Sequence, residues 1–265
     1  MSSLTTEQGI VHYEVYGRGR PVILLHGWLG SWGLWQETMT FLGGNYRAYA
    51  LDFWGFGESG KKRDSYKIED FVLLLDEFMD RLGIIQAPLV GHSMGGTVSL
   101  ATAIRFPERV SKVTVIGSPI DGHSLTLPLR LASKRRVAEI VHRWMWGLKF
   151  GIRLAAPLIT RDRRWYEMIA RDLSQTTLDS FLLSIASLYA TDLTTQLHEI
   201  QAPTLGIYGT RDNIVHPKQW QPLSAHIPNA EVKIIEKAGH FPMLDAPDTF
   251  QDTLTKFLAS DHSAT

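Results

Sequence analysis

Within the 265-residue chain, Ser93 lies in Gly91-His92-Ser93-Met94-Gly95-Gly96, between glycines two residues to either side. A serine hydroxyl is a poor nucleophile at neutral pH. Acyl chemistry requires a base to take its proton and an acidic group to orient and stabilise that base once charged. Small residues at 91, 95 and 96 suit a sharp strand-to-helix turn, where two backbones pass close together and the serine is pushed above a sheet edge. The competing reading is an ordinary glycine-rich loop, and the flanks discriminate. Residues 87–90 are a brief apolar run of the buried-strand kind, and residues 97–106 alternate small and apolar side chains as a packed helix does before Pro107.

The base and acid are sought on later loops of the same sheet edge. His240, in Ala238-Gly239-His240-Phe241-Pro242, directly follows the last strand-like run. Asp212, in Gly209-Thr210-Arg211-Asp212-Asn213, follows a strand-like run at 203–208 in the corresponding way, which gives the order Ser, Asp, His. Asp121, just past an earlier strand, is the alternative acid. Asp245 and Asp248 flank Pro247 ahead of an amphipathic helix and read as its caps. His92 adjoins the serine but is expected to point away along the turn, and His26 to hydrogen-bond within its own loop. The remaining histidines show no close metal-ligand spacing, so no metal is expected. With no cysteine in the chain, thiolate catalysis and disulfides are excluded.

The elements that must position these groups follow from hydrophobic periodicity. Strands are expected at 9–16 (of edge type), 22–25, 46–51, 87–90, 110–116, 203–208 and 232–235, and helices at about 34–42, 68–82 and 97–106. Strands alternating with helices imply an α/β fold with a mostly parallel, doubly wound sheet covered on both faces. Gly55, Gly57 and Gly60 match the dinucleotide-binding spacing. Gly60 opens onto Lys61-Lys62-Arg63-Asp64 rather than a helix, so a close-packed loop is the better reading.

Between 118 and 201 the strand rhythm lapses and the sequence turns helical, basic and aromatic, which divides the chain into a core of 1–117 with 202–265 and an inserted cap of 118–201. Val137, Ile140, Val141, Trp144 and Leu148 form one apolar stripe, with further helices near 165–173 and 178–189. From Arg130 to Asp172 there are 11 Lys or Arg against 4 Asp or Glu, in a chain with formal net charge of zero. A solvated basic face is the simpler account; contact with an anionic membrane surface or an anionic substrate is the other. Overall neutrality gives no reason to bind nucleic acid. The first residues lack a basic and apolar leader pattern and no apolar run would span a bilayer, which reads as a soluble, cytoplasmic protein.

On GHSMGG, GTRDNIV, AGHFP, His26-Gly27 after a strand and Ser59 in its glycine loop, the chain resembles the α/β-hydrolase fold serine hydrolases, carboxylesterase- or lipase-like and with a helical cap. The resemblance implies Ser93 as nucleophile, Asp212 as acid and His240 as base. It implies an oxyanion hole from the backbone amides of Trp28 and Met94, and no cofactor. Serine at 93 argues against the dehalogenases and epoxide hydrolases of the same fold, which attack with a carboxylate. Trp28, Trp32, Trp35, Trp54, Phe53, Phe56 and Phe241 are expected at or near the active-site edge, some of them as core packing, under a cap carrying Trp144, Trp146 and Trp165. That lining suits a small apolar ester. Thioester, lipid and carbon-carbon hydrolysis and perhydrolysis use the same triad and stay open beside it, as does a ligand receptor built on the same fold.

Overall fold

In a computed structural model of the protein, eight strands form one sheet in the order β1-β2-β4-β3-β5-β6-β7-β8. The structure describes residues 2–144, 147, 150, 151, 153, 154, 159, 160, 162 and 164–260. The strands are β1 (Ser2–Thr6), β2 (Gly9–Gly17), β3 (Arg20–Leu25), β4 (Tyr46–Leu51), β5 (Ala87–His92), β6 (Val110–Ile116), β7 (Thr204–Gly209) and β8 (Ala230–Ile235). β1 and β2 pair antiparallel, β2 runs antiparallel to β4, and every pairing from β4 to β8 is parallel. The expected edge strand at 9–16 is therefore not the edge. The polar segment Ser2-Ser3-Leu4-Thr5-Thr6, which carries no apolar alternation, pairs outside it.

The central strands are apolar because both faces are covered. Val22, Ile23, Leu24 and Leu25 of β3 are all fully buried; Ile23 and Leu25 join one core cluster, Val22 and Leu24 the other. One cluster packs α2 (Ile68–Arg81) and α3 (Met94–Arg105) on the sheet through Phe71, Leu75, Phe78 and Val98. The other packs α1 (Gln36–Leu42) and the C-terminal helix through Met39, Leu42, Phe250 and Leu254. The segment between β6 and β7 holds α4 (Leu127–Ala132), α5 (Arg135–Arg143), α6 (Arg164–Gln175) and α7 (Leu178–Ala190). α8 (Trp220–His226), α9 (Pro242–Asp245) and α10 (Pro247–Ala259) follow β7 and β8.

Of the aromatic residues grouped near the active-site edge, four are the core-packing ones. Trp35, Trp54, Phe53 and Phe56 are almost wholly enclosed, with Phe53 and Phe56 packed around Phe71. Phe53, Trp54 and Phe56 lie just past the end of β4, and Trp35 directly before α1, and all four pack inward. Along the expected stripe, Ile140 of α5 and Trp144, just past its end, are more than half exposed, while the side chain of Val141 and all of Trp146 and Leu148 lie outside the described residues. No described helix is long and apolar enough to cross a membrane.

Candidate active site

β5 ends at His92, and α3 begins at Met94. The single residue between them, Ser93, has φ 51° and ψ −120°, a conformation that costs a non-glycine residue roughly 1–3 kcal/mol. The strain is held by hydrogen bonds on both sides: Ser93 N donates to Ile116 O of β6 at 2.8 Å, and Gly96 N donates to Ser93 O at 2.9 Å. A side chain at Gly95 would overlap the backbone of Leu25 and one at Gly96 the hydroxyl of Ser118, so the turn closes only with small residues there.

His240 follows β8 and Asp212 follows β7. His240 Nδ1 donates to Asp212 Oδ2 at 2.8 Å, and both side chains are buried. The second carboxylate oxygen of Asp212 accepts from the amides of Ile214 (2.9 Å) and Val215 (3.0 Å), which fixes the plane of the group. With Nδ1 committed to Asp212, Nε2 is the free ring nitrogen of His240. Asp121 is placed elsewhere: it accepts from His123 N at 2.8 Å at the start of the short turn Gly122–Ser124. Asp245 is not a helix cap. It accepts from Gly239 N and from Thr160 Oγ1, each at 2.7 Å, and so fastens the loop that carries His240. α10 begins after Ala246 with no side-chain cap, and Asp248 lies in its first turn.

The loop after β3 approaches Ser93 from the other side: a Cβ at Gly27 would lie 3.0 Å from that of Ser93. The Trp28 and Met94 amides find no acceptor among the described residues. His26 holds the loop as expected, with Nδ1 donating to Gly27 O (2.7 Å) and Nε2 accepting from Phe53 N (3.0 Å). Its complete burial lowers its pKa to about 4, so the ring is neutral and both bonds have the right polarity. Asp52, at the end of β4, accepts from Trp32 N (2.6 Å) and Glu58 N (2.9 Å) and ties the two loops together; burial raises its pKa to about 7. Ser59 bridges Asp52 O and His12 N, and the Gly55–Gly60 loop closes on itself through Gly55 N and Gly60 O (2.8 Å). That is a packed loop, and the next helix after Gly60 starts only at Ile68.

His92 does not point away along the turn. Its Nε2 lies 2.9 Å from His240 O, and its ring contacts those of His240 and Phe241. Gly117 is another participant that the sequence does not mark. It follows β6 with φ +54°, and a Cβ there would stand 3.2 Å from both Asp212 Oδ2 and His240 Nδ1.

Residues 20–247 match the family model described as alpha/beta hydrolase fold. The chain belongs to the alpha/beta hydrolase fold family. It is 26% identical over 258 residues to the pimeloyl-[acyl-carrier protein] methyl ester esterase of Vibrio campbellii, covering 94% of this chain and 98% of that protein. It is 28% identical over 265 residues to a putative carbamate hydrolase, RutD, of Pantoea ananatis (94% and 93% covered). Among solved structures, the enol-lactonase from Burkholderia xenovorans superposes with a TM-score of 0.86 at 22% identity, covering 98% of this chain and 100% of that one. A thermophilic esterase from Thermogutta terrifontis superposes with a TM-score of 0.85 at 24% identity, with 99% of each chain covered.

In this alpha/beta hydrolase, Ser93 and His240 line the same cavity, of about 350 Å³. Trp28, Leu129, Ile159, Trp165, Ile185 and Phe241 supply much of its wall, and no Asp, Glu, Lys or Arg is among its described lining. A second cavity of about 440 Å³ lies beyond Leu34, Trp165 and Met168, which line both; Trp32 belongs to this second space. Among the described residues there is no group of three or more His, Asp or Glu side chains able to hold a metal ion.

Proposed function

We propose that the protein is a serine esterase that hydrolyses carboxylic esters of largely apolar acids through an acyl-enzyme on Ser93. The observation that carries this reading is the buried His240–Asp212 hydrogen bond of 2.8 Å beside an apolar cavity that Ser93 shares. In the first half-reaction, Ser93 Oγ attacks the ester carbonyl carbon while His240 Nε2 takes its proton. Asp212 fixes the tautomer and stabilises the imidazolium. The Trp28 and Met94 amides receive the oxyanion. The carbon-oxygen bond to the alcohol breaks as His240 returns the proton to the leaving oxygen. Water, deprotonated by His240, then attacks the acyl carbon, and the acid leaves with Ser93 restored.

Two features support the substrate class. An uncharged wall favours an uncharged acyl chain, since a carboxylate there would lose its hydration without a cationic partner. Of the two relatives described above, one is named as a methyl ester esterase and the other as a putative carbamate hydrolase. Residues 118–201 act as the cap in this reading, because α4, α6 and α7 supply Leu129, Trp165 and Ile185 to the cavity.

The test is a series of p-nitrophenyl esters of increasing acyl length, with Ser93→Ala as control. Activity on apolar chains and a loss of at least about a thousandfold in Ser93→Ala are expected. A fluorophosphonate probe should label Ser93. Turnover that survives Ser93→Ala, or labelling at another residue, would overturn the reading.

A further inference from the structure

The loop that carries the Trp28 amide is fastened at both ends to helices of the 118–201 segment. At its start, Trp28 Nε1 donates to the carbonyl of Phe181 in α7 at 3.2 Å, and the two ring centroids stand 4.7 Å apart. At its end, Ser31 Oγ donates to Asp172 Oδ2 in α6 at 2.8 Å. Between these contacts Leu29 has φ 60°, in the left-handed region that a residue with a side chain adopts only when its surroundings impose it. Within the turn, Gly30 N donates to Gly27 O at 3.1 Å. The two helix contacts therefore bracket a strained residue that directly follows Trp28.

Ser31 and Asp172 are each 2% exposed, so the bond between them is shielded from water. Asp172 Oδ1 accepts from Arg171 Nε at 3.1 Å, and Ser31 Oγ accepts in turn from Gly33 N at 3.3 Å. Burial raises the Asp172 pKa against the opposing pull of Ser31 and Arg171, which shows that the carboxylate is held there at a desolvation cost. An apolar contact would fasten the helix to the loop as well or better. What the carboxylate supplies is direction, because a hydrogen bond fixes where Ser31 Oγ stands. Asp52 holds the next residue from the core side, through Trp32 N at 2.6 Å. Asp172 is not among the described lining of either cavity, so it acts through the loop and not on the substrate.

We infer that Asp172 is a positioning residue for ester hydrolysis: through Ser31 it holds the turn of residues 27–31 so that the Trp28 amide points at the developing oxyanion. The oxyanion site is then complete only with α6 and α7 seated on this loop. The inference rests on the esterase reading above, in which Ser93 is the nucleophile and the Trp28 amide an oxyanion donor. Such a donor acts on charge that appears only in the transition state, so misplacing it lowers kcat and leaves KM nearly unchanged. Loosened packing alone would instead show in substrate binding and thermal stability.

Steady-state kinetics on a soluble p-nitrophenyl ester, with thermal melts, test this in Asp172→Ala, Asp172→Asn, Ser31→Ala and the double variant Ser31→Ala/Asp172→Ala. Asp172→Ala and Ser31→Ala should each lower kcat at least about tenfold, with KM within about twofold of the parent. The double variant should lose little more than either single one, because both remove the same bond. Asp172→Asn, whose amide oxygen still accepts from Ser31, should recover most of the rate. A trifluoromethyl ketone of the same acyl group, which forms an oxyanion adduct on Ser93, should bind more weakly by the factor lost in kcat/KM. If the melt shows Asp172→Ala to be unfolded, Ser31→Ala carries the test, since it removes the bond without opening a large cavity. With turnover that depends on Ser93, an unchanged kcat in the folded variants, a loss confined to KM or Tm, additive losses in the double variant, or no recovery in Asp172→Asn would overturn the inference alone. Turnover that survives Ser93→Ala would overturn the esterase reading and this inference with it.

Discussion

His92 Nε2 lies 2.9 Å from the backbone carbonyl of His240, with the two rings 4.7 Å apart. A carbonyl only accepts, so Nε2 carries the proton. Burial, together with the neighbouring His240, holds the His92 pKa well below the usual histidine value and keeps the ring neutral. His92 thus acts as a positioning residue for the loop that carries the proposed base. His92→Leu should leave His240 O without its donor and lower kcat about 10- to 100-fold with KM little changed, as a loss of roughly 1–3 kcal/mol implies. His92→Gln, whose Nε2 also donates, should recover most of the rate. Equal losses in both variants would reduce His92 to a packing residue.

Gly117 makes a complementary prediction. Its φ of +54° suits glycine, and an added Cβ would press on Asp212 Oδ2 and His240 Nδ1 at 3.2 Å and on His240 O at 3.1 Å. Gly117→Ala should cost about 1 kcal/mol of stability from the backbone alone. Its effect on kcat should be larger, because the displaced atoms belong to the proposed dyad. Thermal unfolding and steady-state kinetics on the same preparation separate the two; a stability loss with unchanged kcat would show that the dyad tolerates the methyl group.

The feet of the two loops carry opposing pH dependences. Folding raises the Asp52 pKa from 3.8 to about 7 through burial, so the folded chain holds a proton that the unfolded chain releases. Stability from this group falls as pH rises from about 4 to about 7. Folding lowers the His26 pKa from 6.5 to about 4, also through burial, so here the unfolded chain binds the extra proton and stability rises over about pH 4 to 6.5. At about 1.4 kcal/mol per unit, the Asp52 window is worth on the order of 4–5 kcal/mol and the His26 window on the order of 3–4 kcal/mol, so the two largely cancel. Asp52→Asn should be less stable overall, having lost an acceptor for Trp32 N or Glu58 N. Its stability should nonetheless rise more steeply than the parent's between about pH 4 and 6.5 in urea titrations. Parallel pH profiles for parent and variant would contradict the raised Asp52 pKa.

What the sequence made legible was local chemistry with a rigid geometric demand. The glycines around Ser93 mark the turn, and the parallel strands before Asp212 and His240 assign both residues to one sheet edge. Depth was not legible. Trp35, Trp54, Phe53 and Phe56 adjoin the expected loops in sequence, and which of the loop aromatics turn into the core is set by packing across the fold. The face of α5 was not legible either, because an apolar stripe has the same period whether it meets a core or faces outward. β1 lacks an apolar pattern and is held by its pairing with β2. Gly117 and Asp245 act through contacts across the fold that no spacing along the chain encodes.

Trp165 offers the most direct handle on substrate length. It is buried, it contacts Phe241 with ring centroids 5.5 Å apart, and with Leu34 and Met168 it separates the reaction cavity from the second space of about 440 Å³. Trp165→Ala should join the two, at a cost of roughly 3–5 kcal/mol in stability. The second space is bordered by Glu37, Glu167 and Arg171, so the merged cavity would be apolar near Ser93 and polar at its far end. The expected outcome is a shift of the optimum kcat/KM toward longer acyl chains, with the largest gain for chains ending in an uncharged polar group. Rates across the p-nitrophenyl ester series, with a thermal melt to confirm folding, provide the measurement. An unchanged length profile in a folded Trp165→Ala protein would mean that Leu34 and Met168 close the partition without the indole.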